Sequence, residues 1–501
     1  MINSGLRVLP EKPTCNNIFT LLLQQNSDLT IIPQAFFENM SSLLVLDLHG
    51  TKIRKLPSSL SVMINLKALY LHECESLTEL PPEIKSLQHL EVLDIRDSKV
   101  KFIPVHIQHL VNLKCLRISC MESSYETESR ALVMYSNVIA SLQKLEELII
   151  EMGPDLSMAV AMSNMGRREF YNLWSSGKVF FIQEVASLEN LTTLRICFAD
   201  SYSLAHFITN NTSWKNHKFT SFRFFVGCQY LKHPQILECL KCKITRYMKY
   251  NNGTLKDDSP ITKVLAETDA FELIYHHDIS KLSDFVEAAS LKCLRSWLIL
   301  GCNKMSTIVD CNLTQQRDKS NVIGECILPN LEQLYLVSLV NLKSIFEGSM
   351  HPGSLSKLQI LEVINCPILK SIFTNGVIQQ FSRLQKLTVQ DCNEIEDLFT
   401  ESDGSETELL ELPELKTLVL INLPKLRTLC LVNYFVWPSF EVLKIYGCPQ
   451  LKALPFTKEN AINLRSIEGQ LEWWIEVQWD NLWRQEVASI QICSISYRAA
   501  S

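Results

Sequence analysis

Three groupings in the 501-residue sequence hold residue types that could do chemistry. Cys239-x-x-Cys242 has the spacing of a metal-binding thiol pair. A closed zinc site needs two further thiolates or imidazoles, and no second CxxC or His pair stands at a fitting distance, so the pair reads as structural thiols. Gly177-Lys178 lacks the earlier glycine of a phosphate loop and is followed by Val179 instead of Ser or Thr, so no nucleotide site is expected there. Residues 212–256 carry nine Lys or Arg against one acid, Glu238, interleaved with Trp214, Phe219, Phe222, Phe224, Phe225, Tyr230, Tyr247 and Tyr250. That mixture is able to hold nucleic acid by phosphate contacts and base stacking. The remaining carboxylates, serines and histidines form no nucleophile–base constellation. The expectation is a protein that is not an enzyme and takes no metal, no cofactor and no small-molecule substrate.

Composition sets wider bounds. Hydrophobic residues make up 47 % of the chain, ample for a large core, and the net charge of −6 exerts no general pull on nucleic acid or anionic membrane. The opening MINSGLRVLPEKPTC has no apolar run behind a basic start, and no stretch of eighteen apolar residues follows it. A soluble, cytoplasmic chain without a transmembrane segment is expected, with its 17 cysteines reduced.

The elements that position these residues emerge from the stretch LKALYLHECESLTELPPEIKSLQHL at 66–90. Its apolar residues begin with period two and pass to steps of three, so the backbone changes geometry midway. The template L-x-x-L-x-L-x-x-C recurs from Leu43, Leu66, Leu90 and Leu113 at intervals of 23, 24 and 23 residues. It returns from Leu331, Leu358, Leu384, Leu415 and Phe440 at intervals of 27, 26, 31 and 25, with looser copies from Leu145, Leu191, Phe219 and Leu294. Such periods mark a leucine-rich repeat. Each L-x-L predicts a short strand whose leucines are buried only by stacking coil on coil into a parallel sheet. At about 4.8 Å per strand, some 15 coils make a sheet roughly 70 Å long. The predicted fold class is α/β, a curved leucine-rich-repeat solenoid with the sheet on its concave face and irregular or helical limbs on its convex face.

The template also reassigns the chemistry. Cys74, Cys302, Cys366, Cys392 and Cys448 all fall eight residues after a repeat start, where a small weak donor can sit buried at the strand exit. Phe219, Phe222 and Phe224 occupy core slots, which argues against nucleic-acid binding. The acidic stretch ESDGSETELLELPE at 401–414 reads as a solvated loop that lengthens one repeat.

Three stretches carry a family resemblance: TLLLQQNSDLTIIPQAFFENMSSLLVLDLHGTKIRKLPSSL, then LEVLDIRDSKVKFIPVHIQHLVNLKCLRI, then LEVINCPILKSIF with LKIYGCPQLKALPF. Together with the ending LEWWIEVQWDN, they resemble the repeats of plant intracellular nucleotide-binding leucine-rich-repeat disease resistance proteins, most closely the coiled-coil subclass. His276-His277-Asp278 is similar to that family's histidine–aspartate nucleotide sensor, but it lies inside the repeats and reads as coincidence. The resemblance implies a module that senses a pathogen effector or guarded host protein and regulates a nucleotide-switch module not found in these residues.

Four regions are expected: regular short repeats over 1–120, irregular repeats with longer helical limbs over 121–260, longer repeats over 261–470, and a Trp-rich cap or tail over 471–501. In the first, Leu56-Pro57, Leu80-Pro81 and Ile103-Pro104 are expected to end the strand-exit turns. In the second, SRALVMYSNVIASLQKLEELII and FIQEVASLENLTTLRI each read as a helical limb feeding a strand. The predicted protein-binding residues alternate with the inward leucines: Asp47, His49, Tyr70, His72, Asp94, Arg96, Arg117, Tyr335, Glu362, Thr388, Gln390, Lys444 and Tyr446. A leucine-rich-repeat substrate receptor of a ubiquitin ligase would need a helical adaptor-binding box ahead of the repeats, and none is visible. A truncated, non-signalling repeat protein is the other alternative.

Overall fold

Most coils begin with an apolar residue that turns the chain into a strand, and the residue three positions on enters the core. The computed structural model describes residues 2–100, 102–120, 133–134, 137–152, 181–198, 200–227, 244–253, 259–285, 291–310, 326–348, 351–400, 410–430, 435–457 and 460–477. The chain divides into two units, 1–246 and 247–501.

In the first unit the main sheet holds eight parallel strands among the described residues: β1 (Thr20–Leu22), β2 (Val45–Asp47), β3 (Ala68–Tyr70), β4 (Val92–Ile95), β5 (Cys115–Cys120), β6 (Glu147–Met152), β7 (Thr193–Phe198) and β8 (Ser221–Val226). They pair in chain order, with Leu46, Leu69, Leu93, Leu116, Leu148, Leu194 and Phe222 in register and inaccessible to solvent. The second unit repeats the pattern with β9 (Arg246–Asn251), β10 (Ala270–Ile274), β11 (Ser296–Leu300), β12 (Gln333–Val337), β13 (Ile360–Ile364), β14 (Lys386–Gln390), β15 (Thr417–Ile421), β16 (Val442–Tyr446) and β17 (Ser466–Gly469). Its inward residues are larger and more varied: Met248, Phe271, Trp297, Leu334, Leu361, Leu387, Leu418, Leu443 and Ile467. The fold is an α/β leucine-rich-repeat solenoid, and all thirteen starts named from the sequence lead into a strand. The described strands exceed the expected 15 coils because β1, β9, β10 and β17 begin from Ile18, Thr245, Thr268 and Leu464, which the leucine template passes over.

A second rule governs the strand exit. Seven residues after the start, Gly50, Glu73, Asp97, Tyr275, Gly301, Ser338, Asn365, Asp391, Asn422 and Gly447 all have φ between +49° and +66°. This left-handed residue aims its N–H at the next coil, as in Glu73 N to Arg96 O (2.8 Å) and Asn422 N to Tyr446 O (2.8 Å). At Gly447 the conformation and the space both demand glycine, since a Cβ there would stand 2.5 Å from Asn422 Oδ1. The eighth position is the buried ladder. Cys74 Sγ donates to Leu48 O at 3.2 Å, and Cys392 Sγ to Gln390 O at 3.2 Å. Thr51 Oγ1 donates to Leu48 O at 2.7 Å and Ser98 Oγ to Ile95 O at 2.8 Å, and Asn26 Nδ2 to Leu23 O at 2.8 Å. Small donors of different chemistry thus fill one slot. Burial pushes the Cys302 thiol up to about 12 and the Cys448 thiol up to about 11. Cys197 stands apart from this ladder, being disulfide-bonded; the expectation that every cysteine is reduced fails there.

The prolines act one step later than expected. Pro57, Pro81 and Pro104 precede and cap 3-10 turns over Ser58–Val62, Pro82–Ser86 and Val105–His109 instead of closing the exit turn. The limb ahead of β6 is not helical among its described residues: 137–141 form turns. The reason is the buried carboxylate of Glu184, which accepts from the backbone N–H groups of Asn137 (2.6 Å), Ile139 (2.9 Å) and Ala140 (3.2 Å) and so satisfies donors that a helix would have paired internally. The FIQEVASL limb is helical over 181–186, as expected.

After β17 a short helix, Leu471–Glu476, lays Trp473 against the last strand. Its indole N–H donates to Leu451 O at 2.9 Å, and the ring packs where a Cβ on Gly469 would approach to 3.0 Å. Trp473 thereby covers apolar area at the final coil. Trp479 and Trp483, Cys239, Cys242, Gly177, Lys178 and Tyr230 lie outside the described residues.

Candidate protein-recognition face

Strand alternation sends the residue after each inward leucine to the other side of the sheet. In the first unit, register brings Asp47, Tyr70, Asp94 and Arg117 into one row on β2 to β5. His49, His72 and Arg96 follow two residues on in their own coils. Asp94 is the centre. Its side chain is 1 % exposed and accepts from Arg96 Nε (3.0 Å), Arg96 Nη2 (2.7 Å) and Arg117 Nη1 (3.5 Å). Burial alone would push its carboxyl up, but the Arg96 hydrogen bonds and charge outweigh that and hold it below the usual carboxylate range. Arg117 bridges onward, its Nε 2.5 Å from Glu147 Oε1, and that hydrogen bond raises its own affinity for its proton.

On the other flank His49 and His72 stack at 4.3 Å with rings 5° from parallel, and Tyr70 meets His72 edge-on at 6.4 Å. Asp47 Oδ1 accepts from the His49 backbone N–H at 3.0 Å and lies 3.1 Å from its Nδ1. His72 Nδ1 is 4.0 Å from Asp94 Oδ2, beyond hydrogen bonding, and desolvation lowers its pKa. The four predicted coils, joined by Glu147 of a fifth, therefore contribute to one network of ion pairs, hydrogen bonds and ring contacts. Its arginines remain 28 % and 29 % exposed, so their outer N–H groups face solvent.

In the second unit the same positions are less charged. Glu362 pairs with Lys386 at 2.7 Å and Lys444 with Glu468 at 2.9 Å. Gln390 Nε2 donates to Asp391 Oδ2 at 2.9 Å. Tyr335, Tyr446 and Thr388 are buried, and the Thr388 hydroxyl has no hydrogen-bond partner among the described residues. Beside them runs a register row of Ile274, Leu300, Val337, Ile364, Gln390, Ile421 and Tyr446. Asp94, Tyr335, Thr388 and Tyr446 thus sit on the expected face but with little exposed surface.

The sequence reading missed the position two residues after each start, which points the same way. Glu147, the ionic terminus of the network, occupies it, as does Cys115, whose thiol is pushed up to about 12 by burial and by Glu147. Strand alternation, applied to that position too, would have found both. Of the aromatic residues of the basic segment, Trp214, Phe219, Phe222, Phe224 and Tyr250 are core, with Phe222 and Phe224 stacked at 4.7 Å and Trp214 on Phe222 at 5.6 Å, whereas Phe225 and Tyr247 are half-buried. His276 fills the ladder slot of its coil, 1 % exposed, with its Nδ1 accepting from the N–H groups of Asp278 (3.3 Å) and Ile279 (3.2 Å).

Comparison with known proteins agrees with this architecture. Residues 272–393 and 353–469 match the family model described as plant disease resistance protein RPS2-like, leucine-rich repeats. The chain is 26 % identical over 499 residues to disease resistance protein At4g27190 of Arabidopsis thaliana, covering 96 % of this chain and 46 % of that protein. It is 30 % identical over 462 residues to probable disease resistance protein At4g27220 of the same plant, covering 90 % and 45 %. The chain therefore spans a little under half the length of these relatives. Among solved structures, the leucine-rich-repeat protein LIC12759 of Leptospira interrogans aligns at 19 % identity and a TM-score of 0.40, over 80 % of this chain and 89 % of that one. The molecule is a leucine-rich-repeat solenoid. More narrowly, it is similar over most of its length to plant disease resistance proteins, and 272–469 match the leucine-rich-repeat model of that family. No helix among the described residues is long and apolar enough to cross a membrane.

Proposed function

We propose that the chain is the recognition module of an intracellular plant immune receptor. It senses a pathogen effector or a guarded host protein in the cytoplasm, and its partner-dependent state regulates a nucleotide-switch module outside these 501 residues. The observation that carries this reading is the ionic network centred on Asp94. The opposite side of the same strands already supplies the core, so the fold itself has no need of oriented charge there. Pre-oriented arginines, carboxylates and stacked imidazoles give a protein partner a definite pattern of charge and hydrogen bonds to match, which is how interfaces obtain specificity.

The test places Asp47→Ala, Tyr70→Ala and Arg117→Ala together in a complete receptor of this family and measures defence output at matched protein level. Altered output, with normal output from the return-limb control Lys85→Ala with His109→Ala, supports the proposal. Unaltered output from the sheet-face variant, or equal effects from both, contradicts it.

A further inference from the structure

Cys326 differs from the ladder thiols. Cys74, Cys302, Cys366, Cys392 and Cys448 are buried at strand exits, whereas Cys326 lies half-exposed on the approach to β12. Its Sγ is 3.2 Å from His351 Nδ1 and 3.4 Å from the Pro352 carbonyl oxygen, both supplied by the following coil. That corner is held by hydrogen bonds from Ile327 N to Ser354 Oγ (3.0 Å), Leu355 N to Ile327 O (3.2 Å) and Ser354 N to His351 O (3.0 Å). Gly353, at φ +92°, completes it, and a Cβ there would stand 3.4 Å from the sulfur. The backbone thus brings imidazole and thiol together while no side chain at 353 lies over the sulfur. A thiol within reach of an imidazole has a general base beside it, positioned to take the proton as the sulfur attacks.

We propose that Cys326 and His351 form a reversible S-thiolation site for small-molecule disulfides. His351 Nδ1 takes the thiol proton, and the Cys326 sulfur attacks one sulfur of the disulfide. The Cys326 S–S bond forms as the reagent's S–S bond breaks, and the departing thiolate takes the proton from the imidazolium. Cys326 is oxidised, half of the reagent is reduced to a thiol, and the disulfide is the only oxidant. Attack by a free thiol on the mixed disulfide runs the exchange backwards. The Pro352 carbonyl gives the resting thiol an acceptor and takes no part in the exchange.

The test exposes the folded chain to excess oxidised glutathione at pH 7 and follows each cysteine-containing peptide by mass spectrometry. Cys326 should form the mixed disulfide about tenfold or more faster than Cys15 and Cys293, which are comparably half-exposed. His351→Gln should remove most of that advantage. Equal rates at the three cysteines, or an advantage that survives His351→Gln in a folded variant, would overturn the proposal. If that variant does not fold, His351→Asn, which places an amide instead of a base beside the sulfur, is read in its stead: loss of the advantage supports the site, and an advantage that survives overturns it.

Discussion

The sheet face over β2 to β6 and the same face over β10 to β16 are built on one backbone template and one inward pattern, yet they present different chemistry. The first places Asp94 under two guanidiniums, with Glu147 and two stacked histidines around it. The second presents Ile274, Leu300, Val337, Ile364, Ile421 and Tyr446 in a row, with ion pairs beside it. The difference teaches that the two sides of a repeat strand are coded separately. Leucines on one side specify the coil, and the other side is free to vary without loss of the fold.

The largest expected effect is the one the two regions share. Leu69→Ala and Leu387→Ala each remove a fully buried side chain and leave a cavity, so each should cost about 2–5 kcal/mol. Hydrogen exchange of the strand amides in the mutated unit measures this locally, as suits a repeat array whose coils contribute separately. A much smaller cost in one region would break the claim of a common core.

The open face should respond differently in the two regions. Asp94→Ala leaves two partly exposed guanidiniums without their shared acceptor and should cost about 1–3 kcal/mol. Arg96→Ala should fall in the same range of about 1–3 kcal/mol because it strips two hydrogen bonds from a buried carboxylate. At the equivalent position of β14, Thr388→Val removes a buried hydroxyl that lacks a partner and should stabilise by up to about 1 kcal/mol. Matched urea unfolding of the three variants distinguishes them, and a destabilised Thr388→Val would show that its hydroxyl is satisfied after all.

Acid sharpens the contrast further. A histidine whose pKa is lowered on folding protonates more readily in the unfolded chain, so stability is lost as the pH drops below about 6.5, the unfolded histidine value. Asp94, also lowered, contributes stability above its unfolded pKa that is lost on further acidification through its folded one. Amide protection over β3 and β4 should therefore weaken from about pH 6.5 downwards. His72→Gln should flatten the upper part of that decline; an unchanged profile would place the proton elsewhere.

The cysteine ladder carries the smallest expected change. Cys74, Cys366, Cys392 and Cys448 should each be recovered as free thiols after native purification without reductant and alkylation on denaturation. Several disulfides among them would show that the slot is not held by thiol donors.

Much of this was legible in sequence because leucine spacing reports burial directly. Leu43, Leu66, Leu90 and Leu113 located their strands without error, and alternation then placed Asp47, Tyr70, Asp94 and Arg117 on the far side. Coils that start from Thr245 or Thr268 were invisible, because the buried apolar signal had moved to Met248 and Phe271. The turn at 137–141 was misread as helix because its donors are satisfied by Glu184, 47 residues away from Asn137 in sequence. Nor does spacing reveal that Arg96 and Arg117 share one carboxylate, since that depends on side-chain reach between two adjacent coils.

The most direct measurement is an alanine scan along one strand and its exit, Leu69, Tyr70, Leu71 and His72, read in a complete receptor for both thermal stability and defence output. The account predicts that Leu69→Ala and Leu71→Ala lose stability by about 2–5 kcal/mol each. Tyr70→Ala should stay within about 0.5 kcal/mol of the parent, and His72→Ala close to it, while both change output. Output that simply follows stability through all four variants, or a Tyr70→Ala as damaging as Leu69→Ala, would contradict the separation of core from recognition face.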